Sequence, residues 1–262
     1  MTRQPPPTDL GDPPENRPLP GARRPGAGAD RPVAVVTGGT RGIGLGVVRH
    51  LASTHHVVVG GRQASSVAAV VDELADAEGF VADLSDCGSG GSLETALAAL
   101  VARLPRVDVL VHSAGVLRPG TVADLSTADW LDSLTVNVVA VAAVTRVLLP
   151  SLRAAEGLVV LVNSGSGLRA TPASGAYCAS KFALRALADS LREEERAQGV
   201  RVTSVHPGRV DTDMQRELVA WEGDDYDPSR HLRVESVVRA VRLAVDASAD
   251  ASIDTVSVRP RR

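Results

Sequence analysis

The chain has 262 residues, a formal net charge of −3, a sequence pI near 6.1, and 44% hydrophobic but only 2% aromatic residues. That length suits one large α/β domain or two small ones, and the slightly acidic balance speaks against a nucleic-acid partner, which calls for a basic surplus. A core so poor in aromatics must be built from Val, Leu and Ala, as where helices pack on a parallel sheet.

Residues 1–31 stand apart. Nine of the 16 prolines fall by position 32, among Gly, Asp and Arg, a composition that buries too little apolar surface to offset its ordering entropy. A disordered, proline-rich tail is expected there, followed by a domain over residues 32–262. The N-terminus has no apolar core of a signal peptide, and a cytoplasmic location is the expectation.

From Val33 the pattern changes. Val33–Val36 reads as a buried strand, followed by the glycine turn Thr37-Gly38-Gly39-Thr40-Arg41-Gly42-Ile43-Gly44 and a helix from Arg41 to about Ala52. His56–Gly60 reads as a strand, Ser65 to about Ala77 as a helix and Phe80–Ala82 as a strand. Leu93–Arg103 is helical and Val107–Val111 a strand. A long helix follows Ser126, with Asp129 placed for a capping box, and runs to about Leu152. Leu158–Val162 is a strand, Ala176 to about Glu195 a helix with Leu184, Leu187 and Leu191 at helical spacing, and Val200–Val205 a strand. Two further helical stretches lead to a last strand, Ile253–Val258. Strands alternating with helices predict one doubly wound α/β domain, a mostly parallel seven-stranded sheet with helices on both faces. No run reaches the ~18 apolar residues of a membrane span. Cys87 and Cys178 form neither a disulfide framework nor a metal spacing, so no metal is expected.

The glycine turn carries the first chemistry. Its glycines are spaced G-x-x-x-G-x-G through Gly38, Gly42 and Gly44, permitting a tight turn and close approach of a pyrophosphate to a helix N-terminus. An NAD site usually bears an acid at the end of the second strand, for the ribose hydroxyls. Here Val59-Gly60-Gly61-Arg62 stands instead. With Arg41, Arg62 could bracket a 2′-phosphate, so NADP(H) is expected rather than NAD(H).

Tyr177 and Lys181 are four apart on the predicted helix and share a face; Ser164 precedes Tyr177 by 177 − 164 = 13 residues. A cation beside the phenol favours the phenolate, so Lys181 is expected to lower the Tyr177 pKa and fit it for proton transfer.

Together these motifs make the chain similar to the short-chain dehydrogenase/reductase family in its single-domain form, over residues 32–259. Thr37–Gly44 resembles the family's T-G-x-x-x-G-I-G turn, and Asp83-Leu84 its adenine-holding pair. His112-Ser113-Ala114-Gly115 stands where the family usually has N-N-A-G. Asn137, Ser164, Tyr177 and Lys181 match its catalytic residues, and Pro207, Gly208, Val210 and Thr212 its nicotinamide-carboxamide loop. The resemblance implies a Rossmann-type fold and hydride transfer between nicotinamide and a carbonyl or alcohol carbon of a small molecule. Tyr177 would be the acid or base, Lys181 a partner of phenol and ribose, Ser164 the holder of the substrate oxygen, with Ser166 its rival, and Asn137 the holder of a relay water. Cofactor contacts would come from Gly38, Thr40, Arg41, Gly42, Ile43, Gly44, Arg62, Asp83, Leu84, Ser113, Ala114, Gly115, Tyr177, Lys181, Pro207, Gly208, Val210 and Thr212. A homodimer or homotetramer through the long helices is implied as well. The alternative is a non-catalytic NADP-binding sensor on the same fold.

Overall fold

The computed structural model describes residues 31–261. Seven strands, β1 (Val33–Thr37), β2 (His56–Gly61), β3 (Ala77–Val81), β4 (Val109–His112), β5 (Leu158–Val162), β6 (Arg201–Pro207) and β7 (Thr255–Val258), form one sheet in the order β3-β2-β1-β4-β5-β6-β7. All six pairings are parallel. The order reverses between β1 and β4, the switch point at which such sheets open a crevice beyond the strand C-termini.

The period of two along each strand sorts the core into two layers. Val33, Val35, Val58, Leu110, Val159 and Leu161 pack under α3 (Ser92–Val101), α5 (Ala140–Arg153) and α6 (Gly175–Glu195). Ala34, Val36, Val57, Val59, Val111, Val160 and Val162 pack under α1 (Gly42–Leu51), α2 (Ala64–Asp72) and α8 (Val234–Val245). Helices α4 (Thr127–Leu134) and α7 (Asp213–Glu222) flank the strand C-termini. Ser126 caps α4 in the expected capping box with Asp129.

Three expectations need correction. The second helix stops at Asp72, and Ala77, read as its end, begins β3; pairing with β2 over Val57–Gly61 overrides the helical propensity of an Ala-rich stretch. The long helix is interrupted by a π turn at Thr135–Val139. The whole stretch Thr127–Arg153 is also long and apolar enough to span a bilayer by composition, although no such run was expected. Its Ala140, Val141, Val144, Leu148 and Leu152 are buried in the domain core. The expected proline-rich tail lies outside the described residues except for Arg31, whose guanidinium bonds the Ala52 carbonyl at 2.9 Å.

Candidate active site

A cleft of about 720 Å³ lies over the switch point. Its wall contains Gly38, Thr40, Arg41, Gly42, Ile43, Gly44, Arg62, Asp83, Leu84, Ser113, Ala114, Gly115, Tyr177, Lys181 and Thr212. The fold therefore gathers residues that lie up to 212 − 38 = 174 positions apart in the chain. Ser164, Asn137, Pro207, Gly208 and Val210 stand behind or beside this wall and do not form part of it.

The turn fits a dinucleotide pyrophosphate. Gly38 has φ +66°, and a Cβ there would lie 2.7 Å from the Ala114 backbone; a Cβ on Gly44 would lie 2.0 Å from the Gly38 carbonyl oxygen. Only glycine permits these approaches. No side chain caps the N-terminus of α1, so its first N–H groups remain available to an anion. Thr212 closes over the turn, its methyl carbon 3.5 Å from where a Gly42 Cβ would be.

Arg41 and Arg62 are exposed at one end of the cleft. Gln63, which precedes α2, and Ser66, in its first turn, join them in the wall, polar neighbours that sequence reasoning missed; their place just after Arg62 was the available signal. Asp83 accepts from the Ser85 N–H at 2.9 Å and from its hydroxyl at 2.7 Å. These bonds, with Arg62 nearby, hold its carboxyl below the ordinary range. The imidazole of His112, in place of the family's first asparagine, turns away to Thr145 Oγ1 at 2.9 Å, and burial pulls its pKa down to about 3.

At the other end α6 carries Tyr177 and Lys181 on one face, the ammonium nitrogen 5.7 Å from the ring centroid. Lys181 is buried and donates to the Val162 carbonyl at 3.2 Å. Burial pulls its pKa down to about 8. Burial likewise pushes the Tyr177 phenol up, while the Ser164 hydroxyl beside it pulls it back and Cys178 adds to the rise. The lowering expected from Lys181 is therefore not the governing effect: withdrawing the phenol from water costs the phenolate more than its neighbours return.

Ser164 lies two residues beyond β5 and caps the short 3₁₀ turn Gly165–Gly167, its Oγ accepting from the Ser166 N–H at 3.1 Å. Ser164 is the serine whose hydroxyl offsets part of the burial-driven rise of the Tyr177 phenol. Asn137 lies in the π turn, 1% exposed. Its Oδ1 accepts from the Val116 N–H, and its Nδ2 donates to the Val116 carbonyl and to Ser180 Oγ, each at 2.9 Å. The side chain thus ties the stretch after Gly115 to α6 rather than standing open to a water.

Pro207 ends β6, and the Gly208 N–H bonds the Val258 carbonyl at 2.7 Å. Val210 bridges to Leu232. Val116, Arg118 and Met214 also reach the cleft, whereas Gly165–Ser174 and Trp221 do not. Asn163, 4% exposed, is also in the wall, and neither of its amide atoms has a hydrogen-bond partner.

Residues 32–223 match the family model for short chain dehydrogenases. The chain is 34% identical over 222 residues to a 3-alpha-(or 20-beta)-hydroxysteroid dehydrogenase of Mycobacterium tuberculosis, covering 84% of this chain and 83% of that one. In structure it is similar to an alcohol dehydrogenase of Thermococcus sibiricus complexed with 5-hydroxy-NADP, at a TM-score of 0.79 and 26% identity, over 88% of this chain and 97% of the other. It is also similar to a 3-oxoacyl (acyl-carrier-protein) reductase of Agrobacterium tumefaciens with NADP bound, at a TM-score of 0.78 and 28% identity, over 87% and 93%.

Proposed function

Because the chain belongs to the short-chain dehydrogenase/reductase family, we propose that it is an NADP(H)-dependent oxidoreductase in which Tyr177 exchanges a proton with the substrate oxygen. It is an oxidoreductase acting on CH–OH and C=O groups. The observation that carries the finer reading is the single cleft that has Arg41 and Arg62 at one end and Tyr177 and Lys181 at the other.

The glycine turn and the uncapped α1 N-terminus would hold the pyrophosphate, and Arg41 and Arg62 a 2′-phosphate. Asp83 and Leu84 would border the adenine, and Ser113, Ala114, Gly115, Lys181 and the Pro207–Thr212 loop the nicotinamide half. The bound nicotinamide supplies or accepts the hydride. Ser164 holds the substrate oxygen beside the phenol. Tyr177 donates a proton to that oxygen in reduction and removes one in oxidation. With its pKa raised by burial, the phenol is protonated near neutral pH, the form that reduction requires, whereas oxidation requires the phenolate. Lys181 would orient the ribose and return a proton to Tyr177, and Asn137 would stand beside that relay from the π turn.

Leu131, Val139 and Phe182 are exposed apolar residues on α4, the π turn and α6, which supports a homodimer or homotetramer through these helices. A reductase consuming NADPH works where that cofactor is regenerated, and a cytoplasmic location is proposed on that ground.

The test is a panel of aldehydes, ketones and alcohols followed through the absorbance of reduced nicotinamide, with Tyr177→Phe alongside. The variant should keep NADPH binding and lose roughly 10³-fold or more in kcat. Full turnover in Tyr177→Phe would overturn the assignment, and NADPH binding without turnover of any compound by the parent would favour a sensor.

A further inference from the structure

His206 is a buried titratable residue that the chemistry above does not use. It lies on β6, 1% exposed, directly before Pro207-Gly208. Its Nδ1 is 3.0 Å from the main-chain oxygen of Ser164, and its Nε2 is 2.9 Å from Ser204 Oγ. A carbonyl only accepts, so these partners assign the hydrogen to Nδ1 and leave Nε2 to accept from the Ser204 hydroxyl. Burial pulls the imidazole below its ordinary value; of the charged groups that face it, Arg185 and Lys181 act in the same direction and Asp189 opposes. The neutral tautomer with Nδ1–H is the resting form. The Ser164 carbonyl also accepts from the Gly167 N–H at 3.0 Å. The serine is thus held from within its own turn and, through the imidazole, from the neighbouring strand.

We propose that His206 is a positioning residue. Its Nδ1–H bond fixes the Ser164 hydroxyl against the Tyr177 phenol and couples that serine to the Pro207-Gly208 turn, so that the holder of the substrate oxygen and the proposed nicotinamide wall keep one spacing. The inference rests on the reading of Ser164 as the residue that meets Tyr177 and the substrate oxygen.

A test that needs no substrate uses the phenol itself. The chain has two tyrosines, Tyr177 and Tyr226, so in a Tyr226→Phe background tyrosinate absorbance reports Tyr177 alone. Ser164→Ala should move that titration upward by roughly half a pH unit or more, the scale of one lost hydrogen bond. His206→Leu and His206→Gln should reproduce the shift, since neither places a donor at the Nδ1 position. His206→Asn, whose amide can occupy that position, should restore most of the parent behaviour. His206→Leu added to Ser164→Ala should shift the titration no further. Parent-like titration in His206→Leu, beside a shifted Ser164→Ala, overturns the inference and leaves the proposed function standing. A further shift in the double variant also overturns it, by showing that the imidazole acts independently of Ser164. An unshifted Ser164→Ala overturns the inference together with the reading of Ser164 on which it rests, because the serine then does not touch the phenol. If His206→Leu does not fold, the contrast between Asn and Gln decides by the same criterion.

Discussion

Two buried polar clusters sit at opposite ends of the parallel strands, and they are built on opposite rules. At the N-terminal ends of β2 and β3, His56, Asp76 and Glu78 are 1%, 8% and 2% exposed. His56 Nδ1 meets Asp76 Oδ1 at 2.6 Å, Arg31 approaches Asp76 at 3.5 Å, and Arg103 Nε donates to Glu78 at 3.0 Å. Each carboxylate there has a basic partner, although His56 Nε2 and Asp76 Oδ2 make no hydrogen bond, so the contrast between the two ends lies in the pairing of charge. At the C-terminal ends, Lys181 is 4% exposed with a carbonyl, not a carboxylate, as its hydrogen-bond partner. Asn163 beside it has two unpartnered amide atoms. Buried charge is tolerated where it is paired. Where it is left open, the group is available to a ligand, which is the usual condition of a functional site.

Breaking the closed cluster should produce the larger stability effect. Arg103→Met would leave Glu78 buried with only His56 Nε2 within reach, at 4.0 Å. The expected loss is about 3 kcal/mol of unfolding free energy, read from urea denaturation, with kcat unchanged because the cluster lies at the other end of the sheet. A loss of activity without a loss of stability would reverse the roles given to the two ends.

The open cluster should respond in the other direction. Lys181 has its pKa pulled down from 10.5 to about 8 in the folded protein. Between those values the unfolded chain binds the extra proton, so this group makes stability rise with pH across the window; below about 8 its cost is present in full. Lys181→Met removes the buried cation and fills its space with an unbranched apolar chain. Stability at pH 7 should increase by on the order of 2 kcal/mol, the gain should vanish by pH 10.5, and turnover should be lost. Denaturation at the two pH values checks this; a less stable variant at pH 7 would mean that Lys181 is paired by something other than the Val162 carbonyl.

The sequence exposed this site unevenly, and the two ends show why. Local signals were readable: the glycine turn before a helix, the four-residue spacing of Tyr177 and Lys181, and the unbroken apolar run Leu158–Val162, whose strand limits match the structure. The closed cluster was invisible, because Glu78 is an acid in a stretch bordering an Ala-rich segment, and it becomes a strand residue only through β2 and an arginine 25 positions away. His206 was hidden for the same reason, since its partner Ser164 is 42 positions distant. The direction of the Tyr177 shift was missed because spacing shows that a cation is near but not how far water is excluded. The π turn leaves no periodic trace in an apolar helix.

Arg62 sharpens the comparison at the arginine-lined end of the cleft, where cations stand exposed rather than buried. If Arg62 waits for a 2′-phosphate, Arg62→Ala should raise the NADPH dissociation constant roughly tenfold or more, the weight of one charge-assisted hydrogen bond. The NADH constant should change little. Isothermal titration with both cofactors measures the difference, and equal changes would remove Arg62 as the phosphate reader.

The smallest effect comes from backbone strain, which again has one instance at each end. Ala173 (φ 54°) and Glu156 (φ 47°) are the two non-glycine residues with positive φ among those described. Glu156 immediately precedes Gly157 and the start of β5, at the closed end. Ala173 lies four residues before Tyr177 at the open end, and its carbonyl accepts from the Gly120 N–H at 2.9 Å. Glycine relieves the left-handed strain of an L-residue but is costlier to order on folding, so each substitution should stabilise by only about 0.5 kcal/mol. Strain held at a site serves to fix geometry. Ala173→Gly should therefore gain stability and lower kcat, since it loosens the segment that leads into the helix of Tyr177, whereas Glu156→Gly should leave kcat untouched. Thermal melts and turnover measured on the pair test this. Equal stabilisation with no change in kcat for either would show that the strain at Ala173 is a by-product of the turn and plays no part in holding Tyr177.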